Sequence, residues 1–258
     1  MKTFLESKLP ALPPEECLFH IIPAPYEKIV AYAGGAGKGP AAILDASQLL
    51  ETFDGTSCPS SYGIYTHKAQ YGADFLEREL SNVWKSNKIP VLLGGEQGVT
   101  LSAVKVLKKM GEEIGVVHFD ARPNLQPVQE SDVYHHASVM THVLDMDYPL
   151  CQIGIRGGSL AEAELQKTGS ALPTDFPDKV YLSIDVSVLD PSIMPATRTP
   201  EPDGLSWAEL FQWLEKIVAE KTVIGFDVVE LAPMKGLHAP DYLCARLIYN
   251  LMGLISRA

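Results

Sequence analysis

Apolar runs of strand length alternate with amphipathic runs of helix length along most of the chain. The runs Leu18–Ile22, Pro90–Leu93, Gly115–Asp120, Cys151–Ile155, Val180–Val186 and Val223–Val229 are rich in valine and isoleucine and bounded by glycine or proline. That pattern reads as parallel strands buried on both faces. Between them, Phe75, Leu76, Leu80, Val83 and Trp84 share one helical face, as do Leu210, Phe211, Leu214, Ile217 and Val218. A further apolar helix is predicted over Asp241–Met252. The alternation predicts a three-layer α/β/α architecture, a mostly parallel sheet covered by helices on both faces. No repeat or low-complexity linker interrupts it, so residues 1–258 read as one domain.

Composition narrows the picture. Hydrophobic residues make up 46% of 258, enough to fill one large core. A formal net charge of -11 disfavours nucleic acid and anionic membrane surfaces as partners. The N-terminal residues lack an apolar stretch of signal-peptide length, and no segment is long enough for a membrane span. Cys17, Cys58, Cys151 and Cys244 are scattered without a C-x-x-C pair, as expected of reduced packing thiols in a cytoplasmic protein.

In a parallel sheet, ligands gather beyond the carboxyl ends of the strands. Three motifs fall there: Gly94-Gly95-Glu96-Gln97, Phe119-Asp120-Ala121-Arg122-Pro123-Asn124 and Ser183-Ile184-Asp185-Val186-Ser187. Alternate residues of an extended segment point the same way, so D-x-H-x-D spacing would deliver three metal ligands to one cleft. At those positions the second motif has a carboxylate, a guanidinium and an amide. Arg122 has no lone pair to donate, Ser187 offers a neutral hydroxyl, and Gln97 offers a weak carbonyl oxygen. Two carboxylates, Asp120 and Asp185, would under-compensate two divalent ions. Arg122 is therefore expected to pair with one of them in place of metal, with Arg198 as a second positive charge. Such a cleft would repel cationic guanidines and suit a carboxylate or phosphate ligand. His118 reads as a satisfied core histidine. His135, His136 and His142 lack the spacing of a zinc site, and Gly34–Gly39 lacks that of a phosphate loop.

These motifs, together with Gly34-Gly35-Ala36-Gly37-Lys38-Gly39-Pro40, Gln152-Ile153-Gly154-Ile155-Arg156, the run from Tyr181 to Gly204, and Val229-Glu230, resemble the ureohydrolase family of arginases and agmatinases. The likeness runs in order over almost the whole chain and is closer to agmatinases in length. It implies an arginase-like fold, guanidine hydrolysis assisted by two Mn(II) ions, and assembly as trimers or hexamers. It places metal ligands at Gln97, Asp120, Arg122, Asn124, Asp185 and Ser187, of which only Asp120 and Asp185 are kept. It gives His136 as a proton shuttle and Glu230 as the carboxylate that holds a guanidinium. Ala196-Thr197-Arg198-Thr199-Pro200 stands where the family has G-T-G-T-P.

Three readings follow. In the first, the chain has lost the manganese site and the reaction and acts as a binding or regulatory pseudoenzyme, with Arg122, Asn124 and Arg198 lining a cleft for a small molecule. It would form homo-oligomers or join an active paralogue. In the second it is an active agmatinase-like hydrolase releasing urea, with an atypical, mononuclear Mn site built on Asp120 and Asp185 with Glu96, Asn124 or His136. The third uses His136 and Glu230 as acid and base without metal.

Overall fold

A computed structural model describes residues 2–6, 8–10, 12–28, 34–128, 133–165 and 172–258. Seven strands among them form a single sheet: β1 Phe19–Ala24, β2 Ile64–Thr66, β3 Ile89–Gly94, β4 Gly115–Phe119, β5 Leu150–Ile153, β6 Lys179–Asp185 and β7 Thr222–Val229. Their order is β2-β1-β3-β7-β6-β4-β5, and every pairing is parallel. Helices α1 Gly39–Ser47, α2 Ala73–Lys85, α3 Gly98–Met110, α4 Val139–Asp145, α5 Leu160–Leu165, α6 Trp207–Glu220 and α7 Ala239–Arg257 complete the α/β fold. Two separate apolar clusters mark its two faces. One packs α1, α6 and α7 on the sheet through Ile43, Leu214 and Ile248, and the other packs α2, α3 and α4 through Leu80, Val104 and Val143.

The six expected strands are present, and the differences have local causes. β1 runs on through Pro23, which lacks an N–H. The loss is tolerated because β2 pairs β1 only as far as Ile21. β2 itself carried no run or alternation; it is a three-residue, half-buried edge strand. On α2, Leu76, Leu80, Val83 and Trp84 are buried as expected, but Phe75 is 56% exposed and lies under Arg78 instead. It sits one 100° step off the apolar stripe. A reciprocal capping box starts α6, with Ser206 Oγ accepting from Glu209 N and Glu209 Oε2 accepting from Ser206 N.

The cysteines are free, with Cys17, Cys151 and Cys244 buried and Cys58 exposed. Among the described residues no helix is long and apolar enough to cross a membrane.

Candidate functional site

The chain leaves β3, crosses over β7 and β6, and returns as β4, so four neighbouring strands end at one switch point. In sheet order β3, β7, β6, β4 these ends carry Glu96 and Gln97, Glu230, Asp185, and Asp120. The β3 exit is pressed against the chain after β1. Gly95 N donates to Ala24 O at 3.0 Å and Glu96 N to Tyr26 O at 2.8 Å, and a Cβ on Gly95 would overlap the Tyr26 carbonyl. Glu230 stands in the left-handed region at φ 66. Its N–H donates to Gly95 O at 2.8 Å and its carboxylate accepts from Gln97 N at 2.9 Å. That places a buried anion at the start of α3, where unpaired N–H groups and the helix dipole favour it.

Asp120 is the most heavily bonded group in the cleft. One oxygen accepts from Arg122 N at 2.9 Å and Ser187 Oγ at 2.8 Å. The other accepts from Asn124 Nδ2 at 2.7 Å and lies 3.0 Å from His118 Nε2. Gln152 Nε2 lies 3.0 Å from His118 Nδ1, and an amide N–H donating there would leave a proton on Nε2 to face Asp120. Gln97 closes the network, bonded to Asn124 and 2.5 Å from His118 Nε2. A carboxylate has about four acceptor positions, and four protein groups lie within hydrogen-bond distance of them. Asn124 and Ser187 thus face Asp120 with N–H and O–H groups, where metal ligands would present lone pairs.

The expected pairing of Arg122 with Asp120 or Asp185 does not occur. Its side chain is 45% exposed and reaches Glu201 at 3.5 Å. The strand alternation behind that expectation ends at Phe119. Asp120 folds back on the Arg122 N–H, and Asn124 takes φ 52, so Asp120 and Asn124 bond to each other while the Arg122 guanidinium turns to Glu201. Arg122 lines the cavity of the cleft, as expected of it, but its guanidinium pairs with Glu201 instead of with either aspartate. Asp185 closes a similar turn after β6 by accepting from Ser187 N at 2.8 Å. Burial, followed by repulsion from Asp120 and Glu230, drives the Asp185 carboxyl well above the usual range.

Arg198 is the arginine that does enter. Its Nη2 lies 3.1 and 3.3 Å from the two Glu230 oxygens and 3.3 Å from Glu96 Oε1, and its Nη1 lies 3.5 Å from His136 Nδ1. Burial pushes Glu230 up to about 7, against the pull of Arg198. Burial, then the Arg198 charge, pushes His136 down to about 3, so at neutral pH it is uncharged and can accept from Arg198. Beside this cluster lies a cavity of about 110 Å³, lined by Asp120, Arg122, Asn124, Asp185, Arg198 and Glu230 among others. Glu201, which holds Arg122, and Gln152, 3.0 Å from His118 Nδ1, lay inside runs that resemble the family but were given no role of their own. Glu96 pairs Arg198, a contact its place beside Gln97 did not reveal. Among the described residues no group of three or more His, Cys, Asp or Glu side chains is placed to hold a metal ion.

A second polar layer lies in the sheet, where Asp227 on β7 accepts from Tyr181 Oη at 3.0 Å and Ser183 Oγ at 2.9 Å. Burial raises Asp227 from 3.8 to about 6. A folded value above the unfolded one means stability that is full at low pH and is lost as pH rises through about 6. Asp227→Asn lacks that loss. Urea midpoints at pH 4 and pH 8 should therefore shift in the variant's favour by about 2–3 kcal/mol relative to the parent. A gap that does not change with pH would refute the assignment.

Comparison with known proteins agrees with this fold. The model of the arginase family matches residues 18–175 and 160–253. An N(1)-aminopropylagmatine ureohydrolase of Thermus thermophilus is 34% identical, with 94% of this chain and 92% of that protein covered. The structure of proclavaminate amidino hydrolase from Streptomyces clavuligerus superposes with a TM-score of 0.84 at 25% identity, covering 100% of this chain and 98% of that one. Formiminoglutamase from Trypanosoma cruzi, solved with Mn2+, superposes with a TM-score of 0.84 over 100% of both chains at 20% identity, a likeness of fold.

Proposed function

The chain belongs to the arginase family, and from that premise we propose that it is an agmatinase-like member that has given up Mn-dependent guanidine hydrolysis and serves as a binding or regulatory pseudoenzyme. One observation carries this reading: the Asp120 carboxylate is saturated by His118, Asn124, Ser187 and the Arg122 N–H. Coordinating an ion would break most of these bonds and leave buried donors unpaired. The remaining candidate positions supply one carboxylate, Asp185, with two amides, a hydroxyl and a guanidinium, a donor set that does not fit two divalent cations. Without a metal to bring the pKa of water from about 15.7 toward about 7, the cleft generates almost no nucleophile at neutral pH. His136, which gains a proton only near pH 3, is no shuttle at pH 7, and this also weighs against metal-free chemistry with Glu230.

The active-hydrolase reading has support of its own. The Thermus relative is named for its ureohydrolase activity, and the Trypanosoma structure holds manganese. Under it, Asp185 would anchor a single Mn ion. A cytoplasmic location and a homotrimer or homohexamer, with or without an active paralogue, complete the proposal.

The test is metal analysis after purification with added Mn(II), beside urea release from agmatine, N(1)-aminopropylagmatine and arginine and ammonia or formamide release from formimidoylglutamate. Substoichiometric metal and no turnover are expected. Stoichiometric manganese with turnover on any of the four would sink the pseudoenzyme reading.

A further inference from the structure

Two histidines meet at the edge of the sheet. His20 stands on β1, His67 follows the last residue of β2, and Glu79 lies on α2. Three contacts run in series: His20 Nε2 to Pro14 O at 3.0 Å, His20 Nδ1 to His67 Nε2 at 2.8 Å, and His67 Nδ1 to Glu79 Oε2 at 2.9 Å. His20 is 5% exposed, and the His67 and Glu79 side chains are 14% and 22% exposed. Each contact needs one proton, because a carbonyl and a carboxylate only accept. Two neutral rings carry two. One added proton completes the series, setting an imidazolium against the Glu79 carboxylate. A second has no acceptor left, and would place two imidazoliums head to head at 2.8 Å. Lys88, just before β3, adds its charge on the His20 side, and the Tyr65 ring packs edge-on against His67. Burial, followed by the His67 charge, pushes His20 down to about 4, against the pull of the Pro14 and Cys17 carbonyls. Burial also lowers His67, against the pull of Glu79.

We propose that this trio is an acid-released latch: closed, it has bonding places for one added proton, whereas the released segment takes a proton on each ring, so falling pH frees β2 and the residues behind it from β1 and α2. The gripped piece is short. β2 pairs β1 over three residues, and beyond it His67 N and Gln70 N donate to Ile21 O and Pro23 O at 2.8 Å each. From there β1 runs on to Ala24 and Tyr26, whose carbonyls hold Gly95 N and Glu96 N. The latch thus bears on the Glu96 side of the cleft as well as on the sheet's edge. Below pH 6.5 the released form binds more protons than the closed one, so closure is full above 6.5 and weakens as pH falls toward about 4.

Amide hydrogen exchange of the full chain at pH 7.5 and 5.0, corrected for the intrinsic effect of pH on exchange, tests the latch. A ring at about 4 when closed and 6.5 when free raises the opening of residues 64–70 about thirtyfold at pH 5.0. These residues should exchange ahead of central strand β6 at both pH values. The double variant His20→Gln with His67→Gln, shown folded by circular dichroism, should keep less than about threefold of that rise. Glu79→Gln retains both rings but removes the anion that holds the first added proton, so its rise should exceed the parent's; it carries the test if the double variant does not fold. The proposal is overturned if the parent's opening does not change between the two pH values, or if residues 64–70 exchange only together with β6. It is equally overturned if the folded double variant keeps the parent's rise, or if Glu79→Gln fails to enlarge it.

Discussion

The combined substitutions Gln97→His, Arg122→His, Asn124→Asp and Ser187→Asp are expected to restore stoichiometric Mn(II) uptake but not urea release. The changes replace an amide, a guanidinium, an amide and a hydroxyl by imidazoles and carboxylates at the positions that the family resemblance assigns to metal. They also dissolve the donor shell around Asp120, since Asn124 and Ser187 are two of its four partners. Turnover needs more, because Glu230 is engaged by Arg198, at 3.1 Å. A substrate guanidinium would have to compete with a tethered one whose effective concentration is high. Adding Arg198→Gly, the residue of the family's pattern at this position, should release that block. The five-fold variant is then expected to release urea from agmatine or N(1)-aminopropylagmatine, a gain of orders of magnitude because metal lowers the pKa of water by about 8–9 units. Metal content and urea assays on both variants check this. Absence of Mn(II) uptake by the four-fold variant would mean the cleft has changed beyond its ligand positions. Full turnover without the Arg198 change would mean that Arg198 does not obstruct the site.

What was legible in the sequence follows the range of the forces involved. Valine- and isoleucine-rich runs identified six strands because burial on both faces demands them, and the strand-end rule brought Gln97, Asp120 and Asp185 to one cleft, with Glu230 added by the family resemblance. The edge strand β2 was invisible because three half-buried residues leave no periodicity. The aim of Arg122 was misread for a different reason. A period of two holds only while the chain stays extended, and here a side chain of the motif itself, Asp120, captures the Arg122 N–H and turns the chain. Charge arithmetic put Arg122 on Asp120 or Asp185 with Arg198 as a second positive charge, whereas Arg122 pairs with Glu201 and Arg198 with Glu96 and Glu230. Arg198 is supplied by a loop whose path depends on Arg156 and on the Ala232–Ala196 bond, contacts between residues 31 to 45 positions apart. Glu96 was named only as one neighbour among several, and its convergence with Glu230 depends on the β3–β7 pairing.

The two surviving aspartates should respond to mutation in opposite directions. Asp120→Ala would strand the N–H and O–H groups of His118, Asn124, Ser187 and Arg122 in a cleft where Asp120 is only 1% exposed. Each unpaired buried donor costs about 1–3 kcal/mol, with partial relaxation and relief of the buried charge offsetting some of the total. A net loss of about 3–5 kcal/mol is expected, a large fraction of the stability of an ordinary domain. Asp185→Asn keeps an oxygen for the Ser187 N–H while removing a carboxyl that burial, Asp120 and Glu230 all disfavour as an anion. It should be neutral or stabilising by about 1 kcal/mol. Urea unfolding of both variants, with and without EDTA, measures the difference. If both aspartates existed in this chain to hold metal, removing either would relieve repulsion in EDTA, and Asp120→Ala would not stand apart. A loss confined to Asp120 and unchanged by EDTA would mean that one of two former ligand positions has become the keystone of a hydrogen-bonded core, while the other keeps only the turn to Ser187 N, which an amide oxygen can close as well.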